Sequence, residues 1–226
     1  MSVGDAFDEW ADDGRDREME DEHWATAKQL LARMPVEPGD RVLDLGTGSG
    51  YAPRAISQAA DAGLAVGLDA SPEMVTNARS YTDDSDVGFL AGDFHQLPFE
   101  SESFDHCVSM ESFFFATHPE ELLAELRRVL RSGGTFYCGV NYYQENHYAH
   151  EWADRIEPEM LLWSATEYRS AFQNAGFQLA EQSYVPDRDT EIPPESEFPT
   201  AEFETREQMV ERYRELGTLL TVAVVP

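Results

Sequence analysis

Apolar positions in this chain alternate between short β-branched or leucine-rich runs and stretches of helical spacing. Seven runs read as strands: Arg41–Leu45, Leu64–Leu68, Val87–Ala91, Phe104–Met110, Thr135–Val140, Phe177–Val185 and Thr218–Val225. Between them lie helical patterns. Trp24, Ala27, Leu31 and Met34 recur at helical spacing in Glu20–Met34, and Pro35 and Pro38 end that helix. Gly50–Ala60 reads as the next helix. Ser71-Pro72-Glu73 then opens another, with Ser71 as N-cap, Pro72 in the first turn and Glu73 at the positive dipole end. Leu122, Leu123, Leu126, Val129 and Leu130 form the apolar face of Pro119–Arg131, with Gly133-Gly134 as its cap. Glu167–Ala175 is closed by Gly176, and Thr205 with Gln208 makes a capping box for a helix ended by Gly217. Repeated strand–helix units predict an α/β fold with a doubly wound, mostly parallel sheet. Residues 1–20 read as loose or as part of a lid, and 186–204 as a proline- and acid-rich loop.

The first strand runs into Asp44-Leu45-Gly46-Thr47-Gly48-Ser49-Gly50. Glycines there let the backbone turn tightly and let a ligand approach closely. In open α/β sheets ligands bind at the carboxyl ends of the strands. A dinucleotide fingerprint needs GxGxxG, but here Gly50 comes one residue early and Tyr51 holds the expected place. No Gly-Lys-Ser/Thr follows, which excludes a P-loop. Asp69 ends the second strand, where a carboxylate can accept from ribose hydroxyls. Asp93-Phe94 follows the third, where the carboxylate could accept from an exocyclic amine. Three such features after three successive strands converge on one sheet edge and point to a nucleoside ligand.

These pieces resemble the class I S-adenosylmethionine-dependent methyltransferases, particularly the group containing quinone-biosynthesis and other small-molecule enzymes. The matching stretches are 42–50, Gly67-Leu68-Asp69-Ala70-Ser71-Pro72-Glu73-Met74, 92–99 with Ser103-Phe104-Asp105, and Leu130-Arg131-Ser132-Gly133-Gly134. The resemblance implies a Rossmann-like seven-stranded sheet with its last strand antiparallel, and S-adenosylmethionine as cofactor with S-adenosylhomocysteine as product. It also implies cofactor contacts from Asp44, Gly46, Thr47, Gly48, Gly50, Asp69, Ala70, Met74, Asp93, Phe94 and Met110. The corresponding division is an N-terminal helical lid (1–38), a cofactor core (40–140), acceptor-side insertions (141–216) and a terminal strand (217–226), all in one domain.

Glu111, His118, Tyr142 and His147 follow the fourth and fifth strands on the ligand side and are the candidate catalytic groups. Phe113-Phe114-Phe115 either form a flat acceptor pocket or pack in the core. The expected reaction is methyl transfer to a small molecule, aromatic or quinone-like. The alternatives are an RNA or protein acceptor, a non-catalytic cofactor-binding protein, and a dehydrogenase.

Charge changes the picture in one respect. The 226 residues carry 44 acidic and 16 basic side chains, a net charge of −28, and the acid is spread throughout. Such a chain repels itself unless salt screens it; near 1 M the Debye length is about 3 Å. A salt-loving archaeal host is expected. A basic patch for phosphate binding is missing, so nucleic acid is disfavoured and a small-molecule acceptor is the expected partner. The acidic N-terminus is unlike a signal peptide, and no apolar run reaches the roughly 20 residues of a membrane span, so a cytoplasmic protein is expected. Cys107 and Cys138 lack metal or redox spacing and read as reduced core residues; no metal is expected.

Overall fold

The computed structural model describes residues 2–60 and 62–226. Its centre is a seven-stranded sheet of β1 (Arg41–Leu45), β2 (Leu64–Asp69), β3 (Val87–Ala91), β4 (Phe104–Met110), β5 (Leu130–Val140), β6 (Gln178–Val185) and β7 (Thr218–Val224). The order is β3-β2-β1-β4-β5-β7-β6, parallel except that β7 runs antiparallel to both β5 and β6. The last strand therefore slots between β5 and β6. Strand order reverses between β1 and β4, and their parted carboxyl ends make the crevice where such sheets bind ligands.

Alternation along the central strands feeds two apolar layers. Leu43, Cys107 and Phe136 enter one, with Phe113, Tyr168 and Phe172; Val42, Val108 and Tyr137 enter the other, with Leu30, Ile56 and Leu220. Helices cover both faces: α1 (Val3–Asp12), α2 (Arg15–Leu31), α3 (Tyr51–Ala60), α4 (Pro72–Ser80), α5 (Pro119–Val129), α6 (Ala165–Asn174) and α7 (Arg206–Val210). α7 continues as a π-helical turn over Glu211–Leu216.

Two expectations are corrected. Residues 3–12 are helical, opened by a Ser2/Asp5 capping box, and the next helix starts at Arg15 instead of Glu20. Val3, Ala6, Phe7, Trp10 and Ala11 carry the helical spacing that announces α1. Gly133-Gly134 do not cap α5. They lie inside β5, where the Gly133 N–H donates to Val225 O and the Val225 N–H to Gly134 O. Pairing with the chain's last strand takes the backbone groups that a cap would have used.

Candidate active site

The turn after β1 is assembled from backbone groups. The N–H groups of Gly46 and Thr47 both donate to Leu68 O, at 2.8 and 3.1 Å, which ties the turn to the end of β2. Gly46 lies at φ 69° and Gly48 at φ 51°, a region that L side chains rarely adopt. A Cβ on Gly46 would stand 2.3 Å from Ser112 Cβ, so glycine there is also required by close packing. Ser112 in turn donates its hydroxyl to Leu45 O at 2.6 Å, holding the ends of β1 and β4 in register.

Two buried carboxylates flank this turn. Asp44 accepts from the Thr47 hydroxyl at 2.7 Å. Burial pushes its pKa up to about 7; the Thr47 bond opposes that shift and the nearby Asp69 adds to it. Asp69 accepts from Gly48 N–H at 2.8 Å and Ser71 N–H at 3.0 Å, and burial raises its pKa despite both bonds. Ser71 is thereby fixed as the N-cap of α4, its hydroxyl accepting from Met74 N–H.

The N-terminal helices close over the crevice through their acids. Asp8 accepts from the Ser71 hydroxyl and Glu73 N–H. Asp16 is buried and accepts from Asn77 and the Tyr81 hydroxyl. Glu20 accepts from the Ser49 hydroxyl at 2.7 Å and from Arg54 at 3.1 Å. Beneath them remains a cavity of about 70 Å³. Its polar lining includes Asp16, Glu20, Asp44, Asp69 and Glu111, and its apolar walls are Val3, Phe7, Met19, Met110 and Phe115.

Nine of the eleven residues expected at the cofactor line this cavity: Asp44, Gly46, Thr47, Gly48, Asp69, Ala70, Met74, Phe94 and Met110. Gly50 does not. A Cβ there would strike the Phe89 ring at 2.5 Å, so its role is to let α3 pack against β3. Asp93 also lies elsewhere. Its side chain is 68% exposed, and one oxygen accepts from the His95 N–H and faces His95 Nδ1 at 2.6 Å. This local turn points the carboxylate into a separate cleft with Glu121, Glu125 and Arg128.

Among the candidate catalytic groups, Glu111 lines the cavity. His118 does not: it precedes Pro119 at the start of α5, with its N–H donating to His95 Nε2. Tyr142 is buried against Phe114, and His147 packs on Tyr148 at 4.1 Å, both outside the lining. Phe113 and Phe114 are core residues, whereas Phe115 reaches the cavity and meets Phe7 edge-on at 5.3 Å. The contributions of Asp16, Met19, Glu20, His23 and Tyr51 were missed by the sequence reading. The helical spacing of 3–11 and the polar, acid-rich face that follows were the available signals. Among the described residues, no group of three or more His, Cys, Asp or Glu is placed to hold a metal ion. Among the same residues, no helix is long and apolar enough to cross a membrane.

The methyltransferase domain family matches residues 43–138. A methyltransferase from Haloferax volcanii, solved as a complex with the Trm112 methyltransferase activator, is 59% identical, with a TM-score of 0.96 over 97% of both chains. The chain belongs to the class I S-adenosylmethionine-dependent methyltransferases. As such it is an enzyme whose cofactor is S-adenosylmethionine, and the carboxylate-lined cavity suits the cationic donor. The sterol 24-C-methyltransferase of Schizosaccharomyces pombe is 30% identical over 175 residues, 71% of this chain and 45% of that one. This methyltransferase spans about half the length of the curated relatives it matches. A geranyl diphosphate methyltransferase solved with its substrate and sinefungin shares the fold at 21% identity, with a TM-score of 0.67 over 89% of this chain and 78% of that one.

The Haloferax complex corrects the expected partners, a small molecule with nucleic acid disfavoured and no protein named. Net charge bears on phosphate backbones. It carries no information about a protein partner, whose recognition depends on local shape and surface chemistry.

Proposed function

We propose that this methyltransferase works as a complex with a Trm112-type activator protein and methylates a flat, aromatic or quinone-like acceptor group. The observation that carries the partnership is the 59% identity, across nearly the whole of both chains, to a methyltransferase held in such a complex. The acceptor reading is supported by the apolar wall of Phe7, Met19, Met110 and Phe115 beside the carboxylates. The sulfonium of the cofactor supplies an already activated methyl group. What the chain contributes is positioning: Gly46 and Gly48 let the backbone approach, Asp69 is placed for ribose hydroxyls, and Asp44 sets negative charge nearby. Helices α1 and α2 act as a lid. Ligand pockets are typically ~300–1,000 Å³, and the cavity of about 70 Å³ must open for cofactor to enter. The setting is a salt-rich cytoplasm, supported by the net charge of −28 and two buried free cysteines.

The test is co-expression with a haloarchaeal Trm112-type protein in molar KCl, followed by gel filtration and transfer of labelled methyl groups to small-molecule, protein and RNA fractions. Co-elution, with labelling that increases in the complex, supports the reading. Separate elution with equal labelling sinks the partnership, and label on a non-aromatic acceptor sinks the acceptor class. Melting should shift upward from low salt to molar KCl, and an unchanged melt removes the halophilic setting.

A further inference from the structure

Glu111 is the described cavity residue that joins a positive φ outside glycine to a buried carboxylate oxygen without a hydrogen-bond partner. It lies at φ 56°, one of two non-glycine residues with positive φ among those described; the other, Glu102, sits in an exposed turn. A non-glycine residue held there costs on the order of 1 kcal/mol and persists where the surroundings impose it. Here the imposition is visible. The Glu111 N–H donates to Gly139 O at 2.9 Å, and its Oε2 accepts from Asn141 N–H at 3.0 Å, which fastens the residue to the end of β5. Its other oxygen, Oε1, is buried without a hydrogen-bond partner in a residue only 7% exposed. Leaving such an oxygen unsatisfied costs about 1–3 kcal/mol.

The surroundings keep the carboxyl in place but do not neutralise it. Asn141 is itself held, its Oδ1 accepting from Arg212 at 3.4 Å and from the Thr218 hydroxyl at 3.2 Å. Arg212 reaches inward from the π-helical turn after α7, an irregularity often found at functional sites. Burial raises the pKa of Glu111 to about 8, with the Asn141 N–H and Arg212 opposing the shift.

We propose that Glu111 Oε1 faces the methyl-transfer position and receives the acceptor's N–H or O–H, making the acceptor a protonated nitrogen or oxygen nucleophile. This rests on the cofactor occupying the cavity as described. In the transfer, a lone pair on the nucleophile forms the bond to the methyl carbon as the carbon–sulfur bond breaks. That electron pair stays on sulfur, and the nucleophile's proton passes to the Glu111 carboxylate. Charge balances: one cation and one carboxylate become two neutral groups.

Sinefungin tests the placement without the natural acceptor, because it carries an amine where the methylsulfonium stands. Calorimetry in molar KCl compares sinefungin with S-adenosylhomocysteine for the native chain, Glu111→Gln and Glu111→Asp. The native chain is expected to prefer sinefungin by about ten- to hundredfold, the worth of a hydrogen bond to a charged group. Glu111→Gln should lose that preference while S-adenosylhomocysteine affinity stays within about twofold. Glu111→Asp, which keeps the charge but withdraws it by one methylene, should fall between and serves if the glutamine variant is unstable. Equal preference in all three chains overturns the proposal and leaves the cofactor reading intact. Failure of the native chain to bind S-adenosylhomocysteine overturns both.

Discussion

β1 and β4 carry buried acid at both ends, and the two ends are built differently. At the amino ends, Asp40 pairs with His106 Nε2 at 3.1 Å, His106 Nδ1 meets the Thr135 hydroxyl at 2.6 Å, and Asp105 accepts from Arg41 N–H and pairs with Arg131. Each group has a cross-strand partner, and the cluster serves the sheet. At the carboxyl ends, Asp44, Asp69 and Glu111 crowd one cavity without a single cation among its lining residues. At the carboxyl ends the cations stand behind the wall instead, Arg54 on Glu20 and Arg212 beside Asn141, and the cavity itself is faced by acid. Burial and a missing hydrogen bond do not by themselves separate the two ends, since Asp105 Oδ1 lacks one as well; Arg131 pairs with that oxygen, whereas Glu111 Oε1 faces a cavity with no arginine or lysine in its lining.

The contrast is open to attack at several points. The largest effect is expected from Gly46→Ala, which forces a Cβ to 2.3 Å from Ser112 at positive φ. Strain and overpacking together should cost about 2–5 kcal/mol, lowering the melting temperature by roughly 4–20 °C and abolishing S-adenosylhomocysteine binding. Calorimetry and thermal melts read both, and normal binding would remove the turn from the site. Asp69→Ala comes next. It deletes the acceptor for Gly48 N–H and Ser71 N–H together with the proposed ribose contact, and should weaken S-adenosylhomocysteine by about ten- to hundredfold. Unchanged affinity would contradict the ribose role.

A smaller effect concerns pH. The folded pKa values of Asp44 and Glu111 stand near 7 and 8, above their unfolded values. As pH rises, the unfolded chain loses these protons first, so the ligand-free protein should lose stability across about pH 4–8. Asp44→Asn should flatten this slope, and bound S-adenosylmethionine should reduce it by favouring the carboxylates. Melts across that range with and without cofactor measure it; a flat profile in the native chain would argue that the cavity acids are compensated after all. The smallest change is expected at the opposite end of the strands. Thr135→Val removes one bond to His106 and should cost about 1 kcal/mol with no change in S-adenosylhomocysteine affinity. A loss of affinity there would erase the distinction between the two ends.

The glycine turn and the carboxylates beside it are legible in the sequence because their devices are local. Gly46, Gly48 and Asp69 sit at strand ends that hydrophobic alternation locates, and Ser71-Pro72-Glu73 announces α4 within three residues. Asp93 stands outside the cavity for an equally local reason. Its turn with His95 satisfies the carboxylate within two residues and draws it out of the cavity. His118, Tyr142 and His147 stand near the correct strand ends, but packing turned them to a helix start, a core and an aromatic pair.

By itself the sequence determined the order of the strands and of the helices after the first, the glycine turn that disfavours a dinucleotide, and the family to which these pieces belong. Periodicity and turn chemistry are properties of neighbouring residues, and a linear string records them. Only the tertiary structure decided that Glu20 meets Ser49, that Asp8 latches onto Ser71, and that Arg212 reaches Asn141 from 71 positions away to steady Glu111. Those contacts depend on how helices close over a sheet. The same acidic residues would read as solvated surface wherever the chain did not bring them together.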